Sequence, residues 1–419
     1  MRLSFFSTSP TPPKSHSRPL PSVRRPTLAT ATALALLGAA AAWGLTQSVP
    51  APFPPPPPLT LRWLAPRRAG GAAAGAAAAR RLPSPALPAV AICAIVRDQA
   101  LDLPEWLAWH AGVGVAHAFL YDYASSPPLG PATTPGLAPF FRAGFLTLVT
   151  APPGAGAAHH SGRAQLWAYD DCLNVFGRGQ ARSAPPAGVE AGAWARVVGG
   201  LKTTPPPQPR RTAPLPTWLA FIDVDEFIMP TGSEATNVSA GGPPADAVPS
   251  AVASFAAKHP AAGAWALNWV LFGSSGHAAR PPAGTLASYT ACLPPTDPEN
   301  THVKTLARVD ATLRVGMDPH HFLFDKNASA GALNGRGQVV PGGVAAALGP
   351  ASYDGLALHH YATKSRAEFG AKVERGSAMG NHKAWGWFES VNDRTVAACG
   401  VGRALGAVVL ERVAGAWGV

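Results

Sequence analysis

The sequence predicts a mixed α/β domain of three layers, with a mostly parallel central sheet flanked by helices. Three observations predict it. Ala89–Val96 (AVAICAIV) is an unbroken apolar run, as expected of a strand buried on both faces. Strand-like and helix-like stretches then alternate as far as Phe176. Trp218–Ile228 (WLAFIDVDEFI) is a second dense apolar run, too short for a typical helix, that carries three carboxylates: Asp223, Asp225 and Glu226.

After the first strand, charge appears at once in Arg97 and Asp98. Leu103–His110 (LPEWLAWH) opens a helix, with Pro104 and Glu105 in the first turn. There a missing N–H costs nothing and a negative charge is favoured. Val113–Asp122 reads as a second strand ending in an acid, and Leu146–Val149 as a short third strand. Ala164–Phe176 is helical, with Leu166, Tyr169 or Asp170, and Leu173 at helical spacing. Residues 177–216 and 231–249 are Gly/Pro-rich and aperiodic, and read as disordered insertions on either side of the acidic run. Sheets of this kind bind ligands beyond the carboxyl ends of their strands. Arg97, Asp122 and Asp223 each stand at such an end.

The chain has 419 residues, room for one large domain or two smaller ones, and its 47% apolar content is ample for a core. The formal charge of +11 is confined to one end. Eleven of the 34 lysines and arginines, and none of the 23 acids, fall in residues 1–97, so residues 98–419 carry 23 of each sign. A basic face that binds nucleic acid is therefore not expected on the folded body.

Residues 1–25 form a basic tail, and residues 26–47 are charge-free and about the length that crosses a bilayer as a helix. Arg18, Arg24 and Arg25 precede that segment and predict a cytoplasmic N-terminus, while Trp43 stands where an interfacial aromatic anchors the far end. Residues 48–88, with Pro54–Pro58 unbroken, read as an extended Pro/Ala/Gly-rich stem. The body, 89–412, then faces a lumen, as in a single-pass type II membrane protein. The acid-free N-terminus also fits an organelle transit peptide, and so a soluble plastid enzyme. Four cysteines are too few and too scattered for a zinc site. Cys93, in an apolar run, reads as a buried free thiol, leaving room for one disulfide among Cys172, Cys292 and Cys399. Two sequons, at Asn237 and Asn327, fit a lumenal body.

On a single strand, residues two apart project to one side about 6–7 Å apart. Asp223 and Asp225 would then converge. Two carboxylates that close, at the edge of a core, are costly without a cation or a proton. A hard divalent ion with oxygen ligands is the simplest remedy, and it can in turn clamp a diphosphate. The alternative is a solvated strand end. Lys304, Arg308 and Lys364 are basic side chains able to neutralise such a diphosphate. Trp265, Asn268, Trp269 and His277, around Gly273-Ser-Ser-Gly276, combine aromatic faces and small polar groups in a way that suits a sugar, or else form a core strand and a glycine turn.

Six blocks carry a resemblance. AICAIVRDQALDLPEWLAWHAGVGVAHAFLYDYAS, RAQLWAYDDCL, WLAFIDVDEFIMP, NWVLFGSSGH (Asn268–His277), HVKTLARVD (His302–Asp310) and LHHYATKSRAEFGAKVERG (Leu358–Gly376) occur in that order. Over about residues 90–380 the chain resembles glycosyltransferase family 92 and related family 2-like enzymes. The resemblance implies a GT-A fold, Rossmann-like with a mostly parallel sheet, and a nucleotide-sugar donor. It also implies a divalent cation, usually manganese (Mn2+), and inversion at the sugar carbon. It places Asp223, Asp225 and His360 at the metal, with His359, His320 and His321 as further candidates of the same kind. Arg97, Asp98, Asp122, Asp223, Lys304 and Lys364 are then candidates for contact with the donor. Glu105, Glu226 and Asp318 are candidates for the base that takes the acceptor proton, and Glu226 is also a candidate for a place behind the metal ligands. The family has Asn then Glu after the basic residue. Here Asp98 and Gln99 stand there, and the Asp98 side chain accepts hydrogen bonds but does not donate as an Asn amide does.

The expected activity is transfer of a hexose, such as galactose, from a UDP-sugar to a glycan acceptor, in the Golgi membrane with the catalytic body lumenal. The alternative is a non-catalytic glycan- or nucleotide-binding protein on the same fold.

Overall fold

The computed structural model describes residues 87–417, apart from 152–162, 181–214, 233–235, 238–240, 327, 342–349, 381–382 and 397–398. The expected tail, membrane segment and nearly all of the stem lie outside the described residues, as do the middle of the first insertion and Asn327. Among the described residues no helix is long and apolar enough to cross a membrane.

The chain opens with β1 (Val90–Val96), α1 (Leu103–Gly112) and β2 (His117–Asp122). The short α2 (Ala138–Arg142), β3 (Leu146–Thr150) and α3 (Ala164–Asp171) follow, and a π-helical turn, Cys172–Gly177, prolongs α3. Next come β4 (Trp218–Phe221), β5 (Glu226–Pro230), α4 (Ala247–Lys258), β6 (Ala264–Leu271) and the single turn α5 (Thr285–Ser288). The strands β7 (Val303–Arg308), β8 (Thr312–Val315), β9 (Phe322–Phe324), β10 (Ala332–Leu333) and β11 (Leu356–His360) precede three closing helices. These are α6 (Arg366–Arg375), α7 (Trp385–Arg394) and α8 (Val401–Trp417).

The main sheet runs β3-β2-β1-β4-β7-β6-β11-β5, with β10 beside β6, while β8 and β9 form a separate hairpin. β3, β2, β1 and β4 are mutually parallel, and β6 is parallel to β11. β7 and the edge strand β5 run antiparallel to their neighbours. Every residue of β1 is buried because the sheet is covered on both faces. Ile92, Ala94 and Val96 pack with Trp106 of α1 and Val409 of α8, whereas Ala91, Cys93 and Ile95 pack with Leu166 and Tyr169 of α3. Helices α1 and α8 approach closely at Gly112, where a Cβ would collide with Val409.

Trp218–Ile228 is two strands rather than one. β4 lies mid-sheet between β1 and β7, and β5 forms the far edge. Between them Ile222–Asp225 turns a corner, closed when the Asp223 N–H donates to Glu226 Oε2 (2.8 Å) and the Glu226 N–H to the Asp223 carbonyl (3.0 Å). The free edge of β5 is satisfied by side chains of α1. Trp106 Nε1 donates to the Glu226 carbonyl (2.7 Å) and Trp109 Nε1 to that of Ile228 (2.9 Å). The Ile228 N–H donates to His110 Nε2 (3.2 Å), and His110 Nδ1 donates to the Trp106 carbonyl (2.8 Å). An edge strand presents unpaired N–H and C=O groups, and here one helix takes them up and fixes the acidic corner.

Two other expectations are corrected. Cys93 is not a free thiol: it is bonded to Cys172, with Cα atoms 6.3 Å apart, and Cys292 is bonded to Cys399 (5.8 Å). The second insertion is ordered where described near its end. α4 begins at Ala247, and Arg412 of α8 donates to the Pro243 carbonyl (2.8 Å).

Candidate functional site

A cavity of about 130 Å³ opens beyond the carboxyl ends of β1 and β4, lined in part by Arg97, Gln99, Gln165, Asp223, Asp225, Lys372 and Arg375. β1 delivers Arg97, the β4–β5 corner delivers both aspartates, α3 delivers Gln165, and α6 delivers Lys372 and Arg375. α6 itself is set by a capping box, in which Ser365 and Glu368 each satisfy the other's backbone N–H.

The two aspartates reach the cavity from a turn, not from alternate positions of one strand. Asp223 accepts from Gln165 Nε2 at Oδ1 (2.8 Å) and from Lys304 Nζ at Oδ2 (2.9 Å). Asp225 accepts from Lys372 Nζ at Oδ2 (2.7 Å), and its Oδ1 lies 3.6 Å from His360 Nε2. Glu226 is fully buried, with Oε2 3.8 Å from Lys304 Nζ and Oε1 3.8 Å from His360 Nδ1. It is not a solvated strand end.

Burial pushes every carboxyl here upward. For Asp223 burial is the largest single influence, but the opposing influences, led by the charge and hydrogen bond of Lys304, hold the acid below its usual range. For Asp225, Lys372 and His360 do so more strongly. For Glu226 burial wins and the acid is pushed well up, favouring its protonated form. Lys304 moves the other way: burial draws it down, but Asp223 above all holds it well above the usual lysine value. Burial lowers His360 despite Asp225, so its ring is neutral near pH 7. Two carboxylates thus face two ammonium groups. Charge balance alone does not demand a metal ion, which corrects the simplest form of the sequence argument.

Among the described residues no group of three or more His, Cys, Asp or Glu side chains is gathered for a metal ion, but Asp225 and His360 form a pair of donors that could hold one. Neighbouring ligands of an octahedral ion stand about 3 Å apart, close to the 3.6 Å between Asp225 Oδ1 and His360 Nε2. His360 Nδ1 and Glu226 Oε1 are buried 3.8 Å apart, and among the described residues neither has a hydrogen-bond partner. Glu226 stands where the carboxyl group that orients a metal-binding histidine usually stands.

The structure turns several other expected site residues elsewhere. Asp122 is buried, and its carboxylate accepts from the N–H groups of Ser125 (3.1 Å) and Leu129 (2.9 Å), shaping the loop after β2. Asp98, in the left-handed region at φ 51, donates its N–H to Ser125 Oγ (3.0 Å) and accepts at Oδ1 from the Ser126 N–H (2.8 Å). Gln99 lines the cavity in its place. Lys364 pairs with the buried Asp102 (2.6 Å), which Arg280 also holds (2.8 Å). Glu105 accepts from the N–H groups of Thr285 (2.6 Å) and Leu286 (2.9 Å), capping α5. None of the candidate bases Glu105, Glu226 and Asp318 lines the cavity.

Asp318 instead pairs with His321 Nδ1 (3.0 Å) beside a second, mostly apolar cavity of about 280 Å³, which His320 and His321 also line. Of the proposed sugar contacts, Trp265 stacks on Phe255 in the core, and His277 bonds the Ser288 carbonyl (3.2 Å). Asn268 is buried, tying the Thr301 carbonyl (3.1 Å) to the Ser352 N–H (3.0 Å). Trp269 alone reaches the site, packing edge-on against His360 with ring centres 4.3 Å apart.

Sequence reasoning missed Gln165, Lys372 and Arg375. The only local signal was the Ser365-x-x-Glu368 capping box with Lys372 and Arg375 three apart on the helix it starts.

Against known proteins, no family model matches the chain and no curated protein matches it.

Proposed function

We propose that the chain is a divalent-cation-dependent glycosyltransferase of the GT-A type, moving a hexose such as galactose from a UDP-sugar to a glycan acceptor with inversion. The carrying observation is the pairing of Asp225 with a neutral His360, backed by Glu226, at the carboxyl end of the sheet and beside a cationic wall. The order of the six family 92-like blocks supports the same reading.

Asp225 and His360 would hold the cation, with Asp223 beside them, fixed by Gln165 and Lys304. When bound, a divalent cation such as Mn2+ neutralises the diphosphate as the bond to the anomeric carbon breaks. Arg97, Arg375 and Lys372 offer fixed positive charge to the same leaving group. Gln99, rather than Asp98, faces the donor. Trp269, packed on His360, excludes water from that flank. The acceptor hydroxyl attacks the anomeric carbon and yields its proton to a base.

Two disulfides suit an oxidising lumen. They support a type II protein of the Golgi membrane over a plastid enzyme, and a reporter fused to residues 1–60 separates the two. The alternative of a nucleotide-binding protein without turnover draws on Lys372, which already neutralises Asp225.

The test is release of UDP from a panel of UDP-sugars, with Mn2+ or with EDTA, by wild type and Asp225→Asn. Release that needs Mn2+ and is lost in the variant supports transfer. Tight UDP binding with no release from any donor, acceptor glycans included, favours the binding protein.

A further inference from the structure

Lys372 stands out among the cations of the site. Lys304 is walled in, with 1% of its side chain exposed, and is a permanent counter-charge. Lys372 holds Asp225 Oδ2 at 2.7 Å, yet a quarter of its side chain is exposed (25%), and among the described residues its other anchor is the Ala362 carbonyl at 3.1 Å. A long, flexible stem of this kind can be re-aimed. Arg375 lies three residues further along α6, on the same side, and lines the same cavity, as does Arg97 at the end of β1.

We propose that Lys372 is a displaceable resident cation: it neutralises Asp225, and passes to the donor's diphosphate when a divalent ion takes Asp225. The inference rests on reading the cavity as a donor site. Its logic is electrostatic. A carboxylate already paired with an ammonium group binds a metal ion more weakly than an unpaired one, because the ion must first displace the partner. The displaced ammonium then faces a dianionic diphosphate beside Arg97 and Arg375, a charge-assisted contact. Metal ion and nucleotide therefore assist one another, and Lys372 carries the coupling.

The consequence is a pair of opposite effects from one substitution. In Lys372→Met, Asp225 is left without its partner, so Mn2+ alone binds more tightly, by about tenfold, while UDP in saturating Mn2+ binds more weakly, by about tenfold. Lys372→Arg keeps the charge and restores UDP binding toward wild type. A merely structural lysine would lower both affinities together.

The experiment is calorimetric titration of the full chain, wild type and both variants, with Mn2+ alone and then with UDP in saturating Mn2+. Opposite shifts in Lys372→Met, with recovery in Lys372→Arg, support the proposal. Both affinities falling together, or an unchanged Mn2+ affinity, overturn it. If wild type binds Mn2+ and UDP and Lys372→Met binds both equally well, only the role of Lys372 is lost. If wild type binds neither, the donor-site reading falls with it.

Discussion

Lys304 Nζ lies 2.9 Å from Asp223 Oδ2 and 3.8 Å from Glu226 Oε2, almost completely enclosed by the protein. It holds the acidic corner in charge balance from beneath, on the strand that runs antiparallel to β4. Removing one partner of a buried ion pair leaves an uncompensated charge. Lys304→Met should therefore lower unfolding free energy by about 3–5 kcal/mol, measured by urea denaturation. A loss below about 1 kcal/mol would show that the corner does not depend on this pair.

His110 makes stability depend on pH. Burial pushes its ring down from 6.5 to about 3, against the hydrogen bond to the Trp106 carbonyl. The folded state therefore stays neutral there while the unfolded chain takes up a proton below about pH 6.5. Its contribution is complete above that pH and is lost progressively as pH falls toward 3. At pH 5 the loss is about 2 kcal/mol, at 1.36 kcal/mol per pKa unit. His110→Phe removes this dependence but leaves the Ile228 N–H without its acceptor, at about 1–3 kcal/mol near pH 7.5. Denaturation of both proteins at pH 7.5 and pH 5 should show the smaller acid-induced loss in the variant.

Both disulfides should be detectable directly. Alkylation of the unfolded, unreduced protein should label none of the four cysteines, and reduction should expose all four. Replacing Cys292 and Cys399 together by serine should cost about 2–5 kcal/mol, read as a lower Tm, since the bridge closes a loop of more than a hundred residues.

The residues turned away from the cavity provide a contrast. Glu105→Gln should cost about 1–2 kcal/mol of stability, because one backbone N–H of α5 loses its carboxylate oxygen. It should leave Mn2+-dependent UDP affinity within about twofold, as should Asp318→Asn. A tenfold loss in either would mean that the side chain reaches the nucleotide after all.

The parts of the fold legible in the sequence are those whose pattern is local. β1, α1, β2, β3 and α3 lie where continuous apolar runs and first-turn Pro and Glu place them. The division of Trp218–Ile228 was not legible, because apolar residues resume at Phe227 directly after the acidic corner and the whole stretch reads as one strand. What bends it is the Asp223 N–H bonding to Glu226, which no periodicity records. The acidic pair and His360 were legible as chemistry. Their partners were not: Lys372 meets Asp225 from 147 residues away and Lys304 meets Asp223 from 81. The same holds for Asp122 and Glu105, whose carboxylates look catalytic in sequence but are taken up by backbone N–H groups that only the folded loops bring near. The Cys93–Cys172 bridge joins a strand and a helix 79 residues apart, a distance across which an apolar setting suggests a free thiol.

The measurement that tests the central claim most directly is calorimetric titration of UDP into wild type and Asp225→Asn, each with Mn2+ and with EDTA. The account predicts binding by wild type that weakens at least tenfold in EDTA, and no such Mn2+ dependence in the variant. Equal binding under all four conditions, or none by wild type with Mn2+, would contradict it.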